Sequence, residues 1–258
     1  MTAHASDEYG FGKAWDAATG GCLDPNGTIG AYIVPGLVEV WRATSEARYL
    51  DCARRMLRFY LARDLDRFAC MAGALDTYCI DKETSGAVLL GAMRLYEAEP
   101  CEEWLTAAKK AGWYFCFWMY HFDTINAPGS DFARYGYHTL GGTSVSAQHH
   151  HIDPWGALIV PELHRLYQLT GDPHWQKRAA LLWRSAIQNM APADGTVIHG
   201  LARHAGAQNE GYFQCRWGFH LNSDPTGSFN DWLVAWPDCY CLSTALALDE
   251  IGTELPEG

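Results

Sequence analysis

Several stretches of the chain set carboxylates, histidines and aromatic rings within a few residues of one another. Residues 74–83 carry Asp76 and Asp81, and residues 141–155 carry His149, His150, His151, Asp153 and Trp155. Residues 208–217 hold Asn209, Glu210, Gln214, Arg216 and Trp217. Asn230, Asp231, Trp232, Trp236 and Asp238 follow shortly after. A sugar presents apolar C–H faces and many hydroxyls, so aromatic platforms beside acids, amides and basic groups suit it. Cleavage of a glycosidic bond ordinarily needs two carboxyl groups, one protonated and one ionised. Burial against aromatic rings raises the pKa of one of them, as the acid's role demands.

Glu210 precedes Gly211 and has no capping duty, which makes it the expected acid/base. Asp153 or Asp81 is its expected partner. Both also stand where a helix N-cap belongs, Asp153 directly before Pro154 and Asp81 before Lys82 and Glu83. Capping accounts for them as readily as catalysis does. Asp76 interrupts an apolar stretch without occupying a cap. It is expected at the substrate together with His149, His150, His151, Trp155, Asn209, Gln214, Arg216, Trp217, Asp231, Trp232 and Trp236. Three consecutive histidines cannot all point one way in a regular element, so no metal site is expected. Asn230, Asp231 and Asp238 are also cap or first-turn candidates for a following helix.

The elements that carry these residues come from an internal repeat. Trp41 and Tyr49, Tyr96 and Trp104, and Tyr167 and Trp175 are each eight residues apart, and Ala53, Ala108 and Ala179 follow the second of each pair. Each pair brackets a short polar break. Pro100 and Pro173 fit the first position of a helix, with Asp172 as the cap before Pro173. The pattern predicts three helical hairpins at 29–43 with 46–63, 84–98 with 100–120, and 154–170 with 173–190, and a seventh helix at 237–251. The first helix of each pair is the more apolar and the second carries charge on one face, predicting inner and outer layers. An open solenoid of helical pairs is the plainer arrangement of the same elements.

Connections within hairpins are short. Those between hairpins, 64–83, 121–153 and 191–236, are long and lead into the N-terminal ends of first helices, so they should gather on one face. Loops of that length are commonly functional. The last is expected to include short strands. Residues 1–27 read as an irregular N-terminal segment of a single 258-residue domain.

Hairpins joined by a Leu-Tyr-x-x-Thr-Gly-Asp-x-x-Trp type of break, as at residues 166–175, resemble the six-hairpin (α/α)-toroid superfamily. That superfamily includes unsaturated glucuronyl hydrolases, some polysaccharide lyases and N-acylglucosamine 2-epimerases. The resemblance implies an all-α toroid with substrate in the mouth formed by the inner-helix loops. It carries no catalytic residue over, because no family motif matches position by position. A full toroid has twelve helices. Seven imply a partial ring, a fragment of a longer protein, or a ring completed by a second subunit.

Composition narrows the class further. The chain is 48% hydrophobic and only 19% charged, which excludes intrinsic disorder. Its net charge of −11 argues against nucleic acid or an anionic membrane as partner. The nine scattered cysteines include no CxxC pair, so reduced thiols and a cytoplasmic location are expected. Met1 to Gly10 lack the basic-then-apolar pattern of a secretory signal. No phosphate loop, HExxH or GxSxG occurs, and no cofactor is expected.

The leading expectation is a glycoside hydrolase acting on an oligo- or polysaccharide. A sugar epimerase would instead use histidines such as His149, His150, His151, His199 and His220 for proton transfer at carbon. A polysaccharide lyase would need Arg216 or Arg134 with a Tyr or His base. A sugar- or protein-binding helical repeat is the reading without catalysis.

Overall fold

The computed structural model describes residues 2–73, 78–149, 151–214 and 227–252. The chain divides into two compact units, one comprising 1–118 with 146–148 and the other 119–145 with 149–258.

The first unit is built on two helical hairpins, α1 (Ile33–Thr44) with α2 (Ala47–Arg63) and α3 (Glu83–Ala98) with α4 (Glu102–Cys116). Ser45 ends α1 in the left-handed conformation, its N–H donating to the Trp41 carbonyl at 2.7 Å. A short two-stranded ribbon, β1 (Ala14–Trp15) and β2 (Cys22–Asp24), precedes the helices. The hairpins fall where the repeat predicts them, with three local differences, one being that α4 ends at Cys116 rather than at 120. Residues 29–32 form a 3-10 turn ahead of α1. Pro100 stands outside α4, because the extended Cys101 caps that helix and Glu102 begins it. Glu102 and Glu103 then complement the positive end of the helix dipole.

The core of this unit is aliphatic, aromatic and tightly packed. Val34, Leu37, Met56, Leu57, Val88, Leu89, Leu95, Trp104 and Phe115 are buried. Gly91 shows why α3 is rich in small residues: a Cβ there would stand 3.1 Å from Val34 Cγ1 and 3.4 Å from Leu57 Cδ1. The inner-layer expectation suits α3, which buries Thr84 to Leu89 without a break. It suits α1 less well, since Val40 and the Glu39–Arg42 side face solvent. Arg42 meets Glu97 at 3.1 Å and Arg58 meets Glu103 at 2.6 Å, linking one hairpin to the next. Such half-exposed pairs are worth about 0–1 kcal/mol each, so packing dominates.

The second unit contains the third hairpin, α6 (Val160–Thr170) with α7 (Pro173–Ile187). A 3-10 segment, Pro154–Ile159, leads into α6. Asp172 caps α7 as expected, accepting the His174 N–H at 2.9 Å, with Pro173 in the first turn. The helix expected at 237–251 is α8 (Ala235–Glu250). A five-residue helix, α5 (Asp131–Tyr135), lies in the second long connection.

The expected strands are present, and they recruit more of the chain than the last connection alone. β3 (Thr143–Ser144), β4 (Ile152–Asp153), β7 (Tyr212–Phe213) and β8 (Ser228–Phe229) form an antiparallel sheet in that order. β5 (Thr196–Ile198) and β6 (Leu201–Arg203) form a separate hairpin. Phe132, Tyr137, Ile152, Ile198, Tyr212 and Phe229 pack into one buried cluster that joins α5 to both sheets.

The eight cysteines among the described residues are free thiols. No helix among those residues is long and apolar enough to cross a membrane.

Candidate active site

Asp81 lies in the first unit and is fully buried. Its Oδ1 accepts both the N–H and the hydroxyl of Thr84 at 2.8 Å, and its Oδ2 accepts the Gly73 N–H at 2.8 Å. The chain enters α3 through Lys82, which makes no side-chain cap of its own, so Asp81 performs the capping from one residue further out. Its backbone also bridges Ser146. Both oxygens are therefore engaged by the fold of this unit.

Asp153 lies in the second unit and is likewise buried. It pairs with Thr143 across β3 and β4, and its Oδ1 accepts the Trp155 N–H at 3.1 Å. That is the expected cap with Pro154 in the first turn, although the helix it starts is 3-10. Trp155 is buried edge-on to Tyr240, with ring centres 6.3 Å apart. His149 and His151 lie 6.4 Å apart with their planes 72° to one another, and His151 packs 5.1 Å from Phe213. No group of three or more metal-ligating side chains converges among the described residues.

Glu210 presents a different picture. Its backbone N–H donates to the Trp232 carbonyl at 3.1 Å, and its Oε1 accepts the Trp236 indole N–H at 3.1 Å. Around this frame, Asn230 holds both neighbours: its Oδ1 accepts the Gly211 N–H at 3.1 Å and its carbonyl accepts the Asn209 side-chain amide. Trp236 in turn stacks obliquely on Tyr240 at 5.5 Å. Trp232 itself is exposed.

Next along α8 is Asp238. Its Oδ1 is buried without a hydrogen-bond partner among the described residues, and desolvation raises its carboxyl pKa from the ordinary value. Asp238 acts electrostatically on Tyr212 and on Cys241, and the Cys241 sulfur accepts the Gln208 amide at 3.6 Å. Arg203 also acts on Tyr212, and burial pushes that phenol well above its ordinary value. Gln208 Oε1, Asn209 Oδ1 and the Arg203 Nε and Nη2 atoms are buried without hydrogen-bond partners among the described residues, and the Asn209 backbone N–H bears on the Tyr212 hydroxyl. Buried polar groups are satisfied in the great majority of cases. An acid, a guanidinium and two amides of this kind, two of them acting on Tyr212, can recognise a hydroxyl-rich ligand.

Asp231 belongs to a second arrangement. Its Oδ1 stands 2.6 Å from His199 Nδ1, and the other ring nitrogen of His199 stands 2.9 Å from Asp131 Oδ2. Desolvation lowers the imidazole pKa, but the hydrogen bonds and charges of Asp231 and Asp131 outweigh it, and the net shift is upward.

Thus Asn209, Glu210 and Trp236 are brought together, Asp238 acts on Tyr212 and Cys241, and Asp81 is in the other unit. Gln214 donates to the Tyr120 hydroxyl. Asp76, His150, Arg216 and Trp217 lie outside the described residues. Sequence reasoning passed over Arg203, Gln208, Tyr212 and Asp131 as site residues. Only His199 carried a local signal, a bulky residue paired with Gly200 in a tight turn between two strands.

No family model matches the chain, and no curated protein matches it. Among solved structures, it is similar to an inactive variant of an α-1,6-mannanase of Salegentibacter sp. in complex with α-1,6-mannotriose. The TM-score is 0.41 and the identity 18%, over 66% of this chain and 48% of the mannanase. The chain thus spans about half the length of that enzyme. It is also similar to cellobiose 2-epimerase from Spirochaeta thermophila, with a TM-score of 0.38 and 13% identity over 93% of this chain and 77% of the epimerase.

Proposed function

We propose that the chain is a carbohydrate-active enzyme built on hairpins of the (α/α)-toroid type, and within that class a glycoside hydrolase. The observation that carries this reading is a desolvated carboxyl on α8, the same helix whose Trp236 holds Glu210. Glu210 is held as an acceptor by the Trp236 indole, and Asp238, two residues beyond that tryptophan, has its carboxyl pushed toward the neutral form. Asp238 is then the general acid, donating a proton to the leaving oxygen. Glu210 is the partner carboxyl, acting as base or nucleophile. Asp153 and Asp81, the partners expected from the sequence, are engaged in capping and are assigned to the fold. Arg203, Gln208, Asn209 and Tyr212 supply hydrogen bonds to sugar hydroxyls, and Trp232 and Trp236 offer ring faces.

The test is hydrolysis of a panel of aryl glycosides and oligosaccharides by wild type, Glu210→Gln and Asp238→Asn. Each substitution should cost about 10²–10⁴ in kcat with the fold retained. Near-wild-type turnover by either variant would sink the assignment.

Polysaccharide lyase is the second reading, favoured by the buried Arg203 beside the Tyr212 phenol. Its weakness is that the upward shift of that phenol opposes a role as base. Products absorbing in the ultraviolet would replace the first reading with the second. An oligosaccharide substrate and a second copy completing the ring of hairpins remain part of the proposal.

A further inference from the structure

His199 and Gly200 are the central residues of the two-residue turn between β5 and β6, with φ of +52° and +75°. Glycine, asparagine and aspartate are the residues suited to such turns. A histidine there stores strain on the order of 1 kcal/mol, which persists only where the surroundings hold it. Here they do. The backbone N–H of His199 donates to the Tyr135 hydroxyl at 3.0 Å, and its ring lies 5.8 Å from Tyr135 and 6.0 Å from Phe229.

Both ring nitrogens face carboxylates, Nε2 toward Asp131 and Nδ1 toward Asp231. Two carboxylate acceptors need two N–H donors, and only the imidazolium has both. The two acids are not equally anchored. Asp131 begins α5, is largely buried, and also accepts the Phe229 N–H at 3.0 Å. Asp231 is 60% exposed, and its other cation, Arg203 Nη2, is 3.8 Å away, beyond hydrogen-bonding range. Tyr135 meets the His199 backbone N–H and ring and stacks on Phe229 at 5.3 Å. When the imidazole loses its proton, one carboxylate confronts a lone pair, and the exposed Asp231 is the one free to leave.

What Asp231 holds matters to the site. Its neighbours Asn230 and Trp232 are hydrogen-bonded to Asn209, Glu210 and Gly211. We propose that His199 is a positioning residue: as an imidazolium it ties Asp231 to Asp131, keeps residues 230–232 against residues 209–211, and thereby fixes where the Glu210 carboxylate stands. The consequence for turnover rests on the assignment of Glu210 above; the clasp itself does not.

The experiment follows the His199 ring by NMR across pH in the full chain, with amide hydrogen exchange at Glu210 and Gly211 corrected for intrinsic rates. In wild type, corrected exchange at both amides should rise at least tenfold as His199 deprotonates. His199→Asn suits the turn backbone but cannot bridge two acids, so its exchange should be fast at every pH. Asp231→Ala, which removes only an exposed carboxylate, should behave the same way and serves if His199→Asn fails to fold. Flat exchange through the wild-type titration would overturn the proposal, as would wild-type protection in the folded variant. Neither readout needs a substrate, so a chain that hydrolyses nothing can still pass, and an active hydrolase can still fail.

Discussion

The Trp236 indole donates its N–H to Glu210 Oε1 at 3.1 Å, joining the first turn of α8 to the connection before β7. This bond orients a carboxylate that the backbone alone would leave mobile. Trp236→Phe keeps a ring and removes the donor. A hydrogen bond to a charged group is worth about 1.5–3 kcal/mol. If most of that is expressed in the transition state, kcat should fall by about tenfold or more with KM little changed. Steady-state kinetics on the best substrate of the panel would check this. An unchanged kcat would mean that the indole only packs.

Asp238→Asn should raise stability at neutral pH while removing the acid. The folded-state pKa of Asp238 is raised by burial, so the neutral form is favoured in the fold. Its stabilising contribution is present below the ordinary carboxylate range and is lost as pH rises through the folded value. The amide stays neutral throughout. Urea midpoints of wild type and variant should therefore converge in acid, and the variant should be the more stable at pH 7. Midpoints that coincide at pH 7 would contradict the desolvation of this carboxyl.

Asp81→Ala should damage folding without a specific effect on chemistry. Three hydrogen bonds to Thr84 and Gly73 are lost at a fully buried position. The lost helix cap and the unsatisfied donors together cost about 2–4 kcal/mol. Thermal denaturation should register that loss, while whatever fraction remains folded turns over normally. A well-folded but inactive variant would return Asp81 to the catalytic pair.

His199 links stability to pH with its own sign. Its folded-state pKa lies above the ordinary 6.5, so the stabilisation is full below that value and is lost as pH rises through the folded one. Urea unfolding across pH 5.5–9 should show wild type losing stability relative to Asp231→Ala over that interval. Parallel curves would rule out the linkage.

Gly91→Ala sets helix propensity against packing. Alanine gains about 1 kcal/mol in a helix interior, and overpacking costs about 1–3 kcal/mol. With Val34 Cγ1 at 3.1 Å from the added Cβ, packing should win, and the melting temperature should drop by a few degrees. A stabilised variant would mean that Val34 yields without cost.

What the sequence by itself determined is the local architecture. Helix periodicity, the Asp172–Pro173 and Asp153–Pro154 caps, and the aromatic spacing act within one or two turns, and they located all three hairpins and α8 to within a few residues. Trp104 and Trp175, read as repeat markers, are indeed fully buried. The same local rules allowed Asp81 and Asp153 either of two roles. Only the tertiary structure shows which N–H groups occupy their lone pairs, those of Thr84 and Gly73 for Asp81 and that of Trp155 for Asp153. Asp131, His199 and Asp231 span a hundred residues of chain, and Arg203, Tyr212 and Asp238 come from two strands and a helix. No periodicity encodes such meetings. They arise when a sheet and a helix close on a common core and leave charged and polar atoms facing one another with little water between them.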